Sequence, residues 1–130
     1  MTRALLDTHI WLWLQTEPER LGARSLQLVN DPNVELLLSA ASAWEIGIKH
    51  ALGRLSLPEP ADAYVPDRCR RSGVAELPIS MSHALRAAAL PLHHKDPFDR
   101  LIVAQAQALD IALITVDDAI ASYNVDIVGD

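Results

Sequence analysis

Short, continuously apolar segments recur along this chain of 130 residues and alternate with segments of helical character. A strand that is apolar at every position has to be buried on both faces, which is typical of parallel sheets covered by helices. We therefore expect an α/β fold with a parallel central sheet between helices, formed by residues 1–130 as a single domain. The predicted strands are residues 3–6, 34–38, 74–79, 111–115 and 125–128, and the predicted helices are residues 8–15, 18–29, 39–52, 62–71, 80–90, 96–109 and 117–122.

Composition narrows the possible functions. Half of the residues are hydrophobic, which excludes a disordered chain. The net charge of −6 argues against a protein that holds nucleic acid by a basic surface alone, although a metal-dependent nuclease stays possible because a bound cation reverses the local field. The lone Cys69 cannot form an internal disulfide, so we expect a cytoplasmic protein. The apolar N-terminal run lacks a cleavage site, and no segment is long enough to span a membrane.

Four acidic residues stand where predicted strands lead into helices: Asp7, Glu45, Asp99 and Asp117. Side chains just past the carboxyl ends of parallel strands converge on one crevice. Four carboxylates in one crevice need a counter-charge, because like charges at close range oppose each other's ionisation. Oxygen ligands of this kind favour Mg²⁺ or Mn²⁺, so the pattern predicts a metal-dependent enzyme that acts on phosphate esters.

Each acid also has an ordinary structural interpretation. Asp7 and Asp117 have the positions of helix N-caps, and Asp99 suits the first turn of a helix that begins after Asp96. Glu45 is spaced four residues from Lys49 and could form a solvated ion pair. One face of this helix is expected to be buried and consists of Ala41, Trp44, Ile48 and Leu52. Glu45 is adjacent to Trp44 and is therefore expected at the edge of the buried face.

The segments that carry these acids resemble a known family. LLDTHIWLW, ASAWEIGIK, HHKDPFDRLIVAQA and LITVDD, in this order, are similar to the motifs of the PIN domain and in particular of the VapC-like toxins of type II toxin–antitoxin systems. The resemblance implies a PIN-like fold and metal-dependent endoribonuclease activity, with Mg²⁺ or Mn²⁺ held by Asp7, Glu45, Asp99 and Asp117. It also implies an antitoxin partner and a homodimer. Thr115 matches the small hydroxyl residue of the family's last motif.

Roles within the site follow from ordinary metal chemistry. Asp7, Glu45 and Asp99 are the expected direct ligands, while Asp117 would bind the metal through a water or orient that water. Thr8 and Thr115 would hydrogen-bond these carboxylates, although helix capping is the favoured role of Thr8.

Basic residues offer weaker candidates. His93, His94, Lys95 and Arg100 surround the third acid and could meet a phosphate, but a solvated loop is the simpler interpretation. Arg68, Arg70 and Arg71 could steer RNA, but a solvated helix face is again the simpler interpretation.

The first helix presents five consecutive apolar residues, from Ile10 to Leu14, which occupy every side of a helix. We expect Trp11 or Leu12 to be exposed and to bind a partner, and the resemblance implies that the C-terminal segment of an antitoxin would cover such a groove. The alternative is that another helix of the same chain covers this side.

Two other functions stay open from the sequence. One is a non-catalytic PIN-like module that binds RNA or protein. The other is an aspartyl-phosphate enzyme with Asp7 as nucleophile, although such motifs favour a second Asp at the position held by His9.

Overall fold

A five-stranded parallel sheet forms the centre of the protein in a computed structural model that describes residues 2–130. The spatial order is β3-β2-β1-β4-β5, and every neighbouring pair is parallel. The predicted α/β class is thus confirmed. The strands are β1 (Thr2–Leu6), β2 (Val34–Ser39), β3 (Val74–Leu77), β4 (Ala112–Ile114) and β5 (Ile127–Val128).

Seven α-helices connect and cover the strands. They are α1 (Thr8–Thr16), α2 (Ala23–Val29), α3 (Ala40–Ala51), α4 (Ala61–Ser72), α5 (Met81–Ala89), α6 (Pro97–Leu109) and α7 (Asp118–Ala121), with a 3₁₀ turn at Pro18–Arg20. None of the helices in residues 2–130 has the length and apolarity needed to cross a membrane.

Two differences from the predicted elements have clear causes. The helix predicted from residue 18 is interrupted at Gly22, where the backbone of Asp130 approaches so closely that a Cβ would overlap it. The strand predicted to reach residue 79 ends at Leu77, because Pro78 has no N–H to donate to the sheet.

Both faces of the sheet are buried, which explains the continuously apolar strands. Leu6, Leu36 and Leu38 face one hydrophobic cluster together with residues of α1 and α4. Leu5 and Leu37, on the intervening positions, face a second cluster together with residues of α6. Alternate side chains of one strand therefore enter opposite cores.

The prediction for Trp11 as an exposed partner-binding residue is wrong. Its side chain is 0% exposed and packs edge-on against Tyr64 of α4, with ring centroids 6.1 Å apart. The side of α1 that faces away from the sheet is covered at this position by α4, as the alternative interpretation had it. Leu12 remains only partly buried.

The predicted buried stripe on α3 is wrong for two of its members. Trp44 and Leu52 are each 62% exposed, whereas Ala41 is buried as predicted, together with Ser42, Glu45 and Ile46. The buried stripe is displaced because Glu45 finds hydrogen-bonding partners inside the protein, as described next, so a carboxylate occupies the inward face.

Candidate metal and catalytic site

Asp7 follows β1, the central strand, and is only 4% exposed. It has the N-cap position of α1, but its side chain makes no capping hydrogen bond. Instead the Thr115 hydroxyl, just past β4, donates to Asp7 Oδ2 at 2.6 Å. The backbone N–H of Asp7 donates to the carbonyl of Ile114 at 3.0 Å, which fixes the two strand ends side by side. The capping interpretation of Asp7 is therefore incorrect.

Glu45 is 3% exposed and reaches back to the beginning of α1. The Thr8 hydroxyl donates to Glu45 Oε1 at 2.7 Å and lies 2.8 Å from the Ser42 hydroxyl. The Lys49 ammonium donates to Oε2 at 2.6 Å. The expected pair with Lys49 thus exists, but its carboxylate is buried rather than solvated. Thr8 is engaged with this carboxylate and does not cap the helix.

Asp99 and Asp117 meet at one histidine. His94 Nε2 lies 3.0 Å from Asp99 Oδ2 and 3.0 Å from Asp117 Oδ2. Among residues 2–130, these three side chains form the one group of histidines, cysteines and acids whose potential ligand atoms all lie within 4.8 Å of one another. Asp117 also caps α7, accepting from the N–H of Ala119 at 2.8 Å. Capping and site membership are therefore compatible for this residue.

His94 is the site residue that sequence reasoning undervalued. The backbone N–H of Asp96 donates to His94 Nδ1 at 3.1 Å, so Nδ1 is an acceptor and the proton of the neutral ring lies on Nε2, toward the two carboxylates. The sequence does place His94 two residues before the helix cap Asp96, and an imidazole at that position can fold back onto the beginning of the helix. That spacing could have identified it as a site residue.

The loop that carries His94 is held by Arg100 and Tyr123. The Arg100 guanidinium donates to the carbonyls of Ala87 and Leu90 at 2.9 Å each and to that of Pro91 at 3.0 Å. The Tyr123 hydroxyl donates to the Pro91 carbonyl at 2.6 Å and accepts from the His94 N–H at 3.0 Å. Arg100 is therefore occupied by the loop, contrary to the idea that it meets a phosphate.

The basic cluster on α4 is also occupied by acids. Arg68 pairs with Glu59 at 2.8 Å and with Asp67, while Arg71 lies 3.1 Å from Asp67. Arg70 is a third partner of Asp67, at 3.3 Å. Three arginines around one aspartate and a glutamate leave much less positive charge for RNA than the sequence suggested.

All four predicted acids line one cavity of about 460 Å³. Asp99 and Asp117 come from α6 and the end of β4, Asp7 from the end of β1, and Glu45 from α3. The cavity is completed by His9, Trp13, Lys49, His94, Asp96 and Val116.

The acids in this cavity ionise unequally. Burial, reinforced by the charges of Asp7, Asp96 and Glu45, raises the pKa of Asp99 to about 7. Burial also raises the pKa of Asp7, although the hydrogen bond from Thr115 opposes the rise. Burial acts in the same direction on Asp117, but the hydrogen bonds from His94 and the Ala119 N–H outweigh it and lower the pKa.

The pKa values of the two cationic partners are raised as well, which favours their charged forms. Burial alone would lower the pKa of His94, but its hydrogen bond to Asp117 and the charge of Asp99 raise that pKa. The hydrogen bond to Glu45 raises the pKa of Lys49. The negative charge of the acids in the cavity therefore exceeds the positive charge that His94 and Lys49 provide. A donor set dominated by carboxylate oxygens suits a hard divalent cation such as Mg²⁺ or Mn²⁺.

Comparison with known proteins agrees with this architecture. The model of the PIN domain family matches residues 4–125. Ribonuclease VapC22 of Mycobacterium tuberculosis is 32% identical over 124 residues, which cover 95% of this chain and 93% of that protein. Ribonuclease VapC16 of the same organism is 54% identical over 57 residues, a match that spans 44% of this chain and only 39% of that protein.

A solved structure supports the fold independently. A toxin–antitoxin complex from Klebsiella pneumoniae contains a chain that superposes with a TM-score of 0.64 at 20% identity, covering 96% of this chain and 95% of that one. The family model and the full-length sequence match lead to the same assignment: the chain belongs to the PIN domain family, among the VapC ribonucleases.

Proposed function

We propose that this protein is the ribonuclease toxin of a toxin–antitoxin pair, and that it hydrolyses RNA phosphodiester bonds with Mg²⁺ or Mn²⁺ held by Asp7, Glu45, Asp99 and Asp117. The observation that carries the proposal is the convergence of these four acids, from separate parts of the chain, on one cavity where burial and mutual repulsion raise the pKa of Asp99 to about 7. A cation would relieve that repulsion.

The neighbouring residues fix the carboxylates that would hold the metal. Thr115 fixes one oxygen of Asp7, and Thr8 with Lys49 fixes both oxygens of Glu45. When bound, the metal would lower the pKa of a water and stabilise negative charge on the phosphate. Such fixed ligands lose little freedom when the cation binds, which favours affinity.

His94 has a separate role in this proposal. Its Nε2 proton lies between Asp99 and Asp117, where it reduces their repulsion and orients both carboxylates toward the cavity. The hydrogen bond to Asp117 and the charge of Asp99 raise the pKa of His94, which favours its protonated form beside the carboxylates, where a general acid could give a proton to the leaving oxygen of a cleaved phosphodiester.

An apolar groove beside the site suits an antitoxin. This α1 groove has a volume of about 410 Å³ and is lined by residues that include Leu12, Tyr64 and Leu57. It shares His9, Trp13 and Lys49 with the acidic cavity. A peptide in the groove could therefore extend a cationic side chain, such as that of arginine, onto the carboxylates and compete with the metal.

A homodimer is also part of the proposal, in line with the family resemblance. Met81 and Leu85, four residues apart on α5, are 81% and 65% exposed, and the nearby Leu92 is 80% exposed. Covering this apolar surface would stabilise a dimer. Light scattering should therefore give the mass of a dimer for the parent protein and that of a monomer for Leu85→Asp.

Activity assays test the proposal directly. Asp7→Asn and Asp99→Asn should abolish magnesium-dependent RNA cleavage while circular dichroism shows an intact fold. Asp118→Asn is the matched control, because Asp118 is exposed and adjacent to Asp117 but does not line the cavity. Full cleavage by either folded site variant would remove that residue from the reaction. An inactive parent protein that still binds RNA would favour the non-catalytic module.

The aspartyl-phosphate alternative has little structural support. Asp7 is nearly fully buried, and one of its oxygens already accepts the Thr115 hydroxyl. A nucleophilic carboxylate needs a free oxygen directed at the phosphorus. Labelling of Asp7 by a phosphoryl analogue would nevertheless establish it.

A further inference from the structure

Trp44 is exposed at a position where a large apolar side chain needs an explanation. It directly precedes the buried Glu45 on α3, yet 62% of it faces solvent. Its ring contacts Phe98 of α6 edge to face, with centroids 5.2 Å apart and planes at 85°. Phe98 in turn directly precedes Asp99. The aromatic pair thus joins the residues that stand immediately before two of the cavity acids.

The same arrangement recurs at a third acid. Val116, which directly precedes Asp117, is 52% exposed and lines the acidic cavity. Trp44 and Phe98 lie outside the lining of that cavity and adjoin it through Glu45 and Asp99, their neighbours in the chain. An exposed aromatic pair and one apolar lining residue therefore stand beside the acidic cavity, while Asp7 and Glu45 are buried.

The charge distribution makes such an aromatic pair useful for an RNA substrate. The protein has a net charge of −6, and the arginines of α4 and Arg100 are engaged with acids or carbonyls. Binding through phosphate contacts alone would therefore be weak. Stacking of a base on an aromatic ring provides affinity without requiring a positive surface, and it requires a base that is not paired in a duplex.

We propose that Trp44, supported from the side by Phe98, is the stacking platform for an unpaired base adjacent to the scissile phosphate. This inference rests on the proposed ribonuclease function. Trp44 is a substrate-positioning residue in this proposal. The edge-to-face contact fixes the indole while leaving much of its surface accessible, which suits a ring that must accept a base.

The variants for the test are Trp44→Ala, Trp44→Phe and Leu52→Ala. Leu52 is the matched control because it immediately follows the same helix and has the same 62% exposure, but it lies two turns beyond Trp44 and does not line the cavity. Each protein is prepared free of antitoxin. Cleavage of a random-sequence single-stranded oligoribonucleotide pool gives KM and kcat, and fluorescence anisotropy gives binding of the same pool in the uncleaving Asp99→Asn background. Light scattering gives the oligomeric state.

The platform predicts a specific pattern. Trp44→Ala should raise KM and weaken binding by about 10-fold to 100-fold, with a smaller change in kcat. Trp44→Phe should recover most of the loss, and Leu52→Ala should resemble the parent. A duplex of the same pool should bind the parent weakly and should be indifferent to Trp44→Ala.

Three results would overturn the inference. KM and binding could be unchanged in Trp44→Ala while the parent cleaves RNA, which would leave the ribonuclease function intact and refute only the platform. The loss could accompany a change in oligomeric state, which would make Trp44 a contact between copies of the chain. Equal binding of duplex and single strand would exclude base stacking. A parent protein that neither cleaves nor binds RNA would instead refute the underlying function.

Discussion

Replacing Asp99 by Asn should stabilise the metal-free protein at alkaline pH, although we expect the same change to abolish RNA cleavage. A pKa of about 7 in place of an ordinary 3.8 means that ionising this carboxyl costs about 4 kcal/mol more in the folded protein than in the unfolded chain. Asn is isosteric and uncharged, so it avoids that cost. The loss of the contact with His94 offsets part of the gain, and we expect a net stabilisation of about 2 kcal/mol at pH 8.

The sign of the pH dependence follows from proton binding. Between about pH 4 and pH 7 the folded protein keeps a proton on Asp99 that the unfolded chain has lost, so the free energy of unfolding falls as the pH rises through this window. The parent protein should lose stability there, and Asp99→Asn should lose less. Above pH 7 the contribution of this group is constant.

Thermal and urea unfolding in the presence of a chelator measure both effects. For a chain of 130 residues, 2 kcal/mol corresponds to a rise of roughly 6 to 8 °C in Tm. Adding Mg²⁺ at about 100 times its Kd should stabilise the parent by about 2.7 kcal/mol and the variant much less. Asp118→Asn is the control and should follow the parent. A variant that is less stable than the parent at pH 8 without metal would refute the idea of repelling carboxylates.

Three further outcomes are expected. Trp11→Ala should lower the free energy of unfolding by about 3 to 5 kcal/mol in chemical unfolding, because removing a fully buried indole leaves a cavity. Trp13→Ala, at a half-buried position, should lower it clearly less, and equal losses would contradict the packing of α1. Tyr123→Phe should cost about 1 kcal/mol and accelerate amide hydrogen exchange at His94, and unchanged exchange would show that the loop is held without this hydroxyl. Leu12→Gln should weaken antitoxin binding and spare RNA cleavage, so unchanged affinity would place the antitoxin outside the α1 groove.

The fold was accessible from the sequence because its main signal is local. Leu36, Leu37 and Leu38 are apolar at consecutive positions, and only a sheet covered on both faces buries both sets of side chains. The boundary at Gly22 was not accessible, because it depends on the backbone of Asp130, which is far away in the sequence.

Asp7 and Asp117 could be selected because they follow β1 and β4, whose ends lie side by side in the parallel sheet. The same reasoning does not hold for Glu45 and Asp99, which lie within α3 and α6. The hydrogen bonds that give each of the four carboxylates its own environment could not be predicted from positions in the sequence. The inward face of α3 illustrates the difficulty: hydropathy favours burying Trp44 rather than Glu45, and the reverse is found because Thr8 and Lys49 provide the carboxylate with partners. His94 was undervalued for a related reason: its position depends on the hydrogen bonds that Arg100 donates to the carbonyls of Leu90 and Pro91 in the preceding loop.

The hydrogen bond between Thr115 and Asp7 joins residues 108 positions apart in the chain. A growing polypeptide on the ribosome therefore contains Asp7 long before it contains Thr115, whose hydroxyl fixes that carboxylate. With the site as proposed, RNA cleavage has to wait until Asp117 has left the exit tunnel and β4 has paired with β1. A chain that stops short of β4 would lack Thr115 and Asp117, and an inhibitor would have the whole of that interval in which to be present before the first RNA is cut.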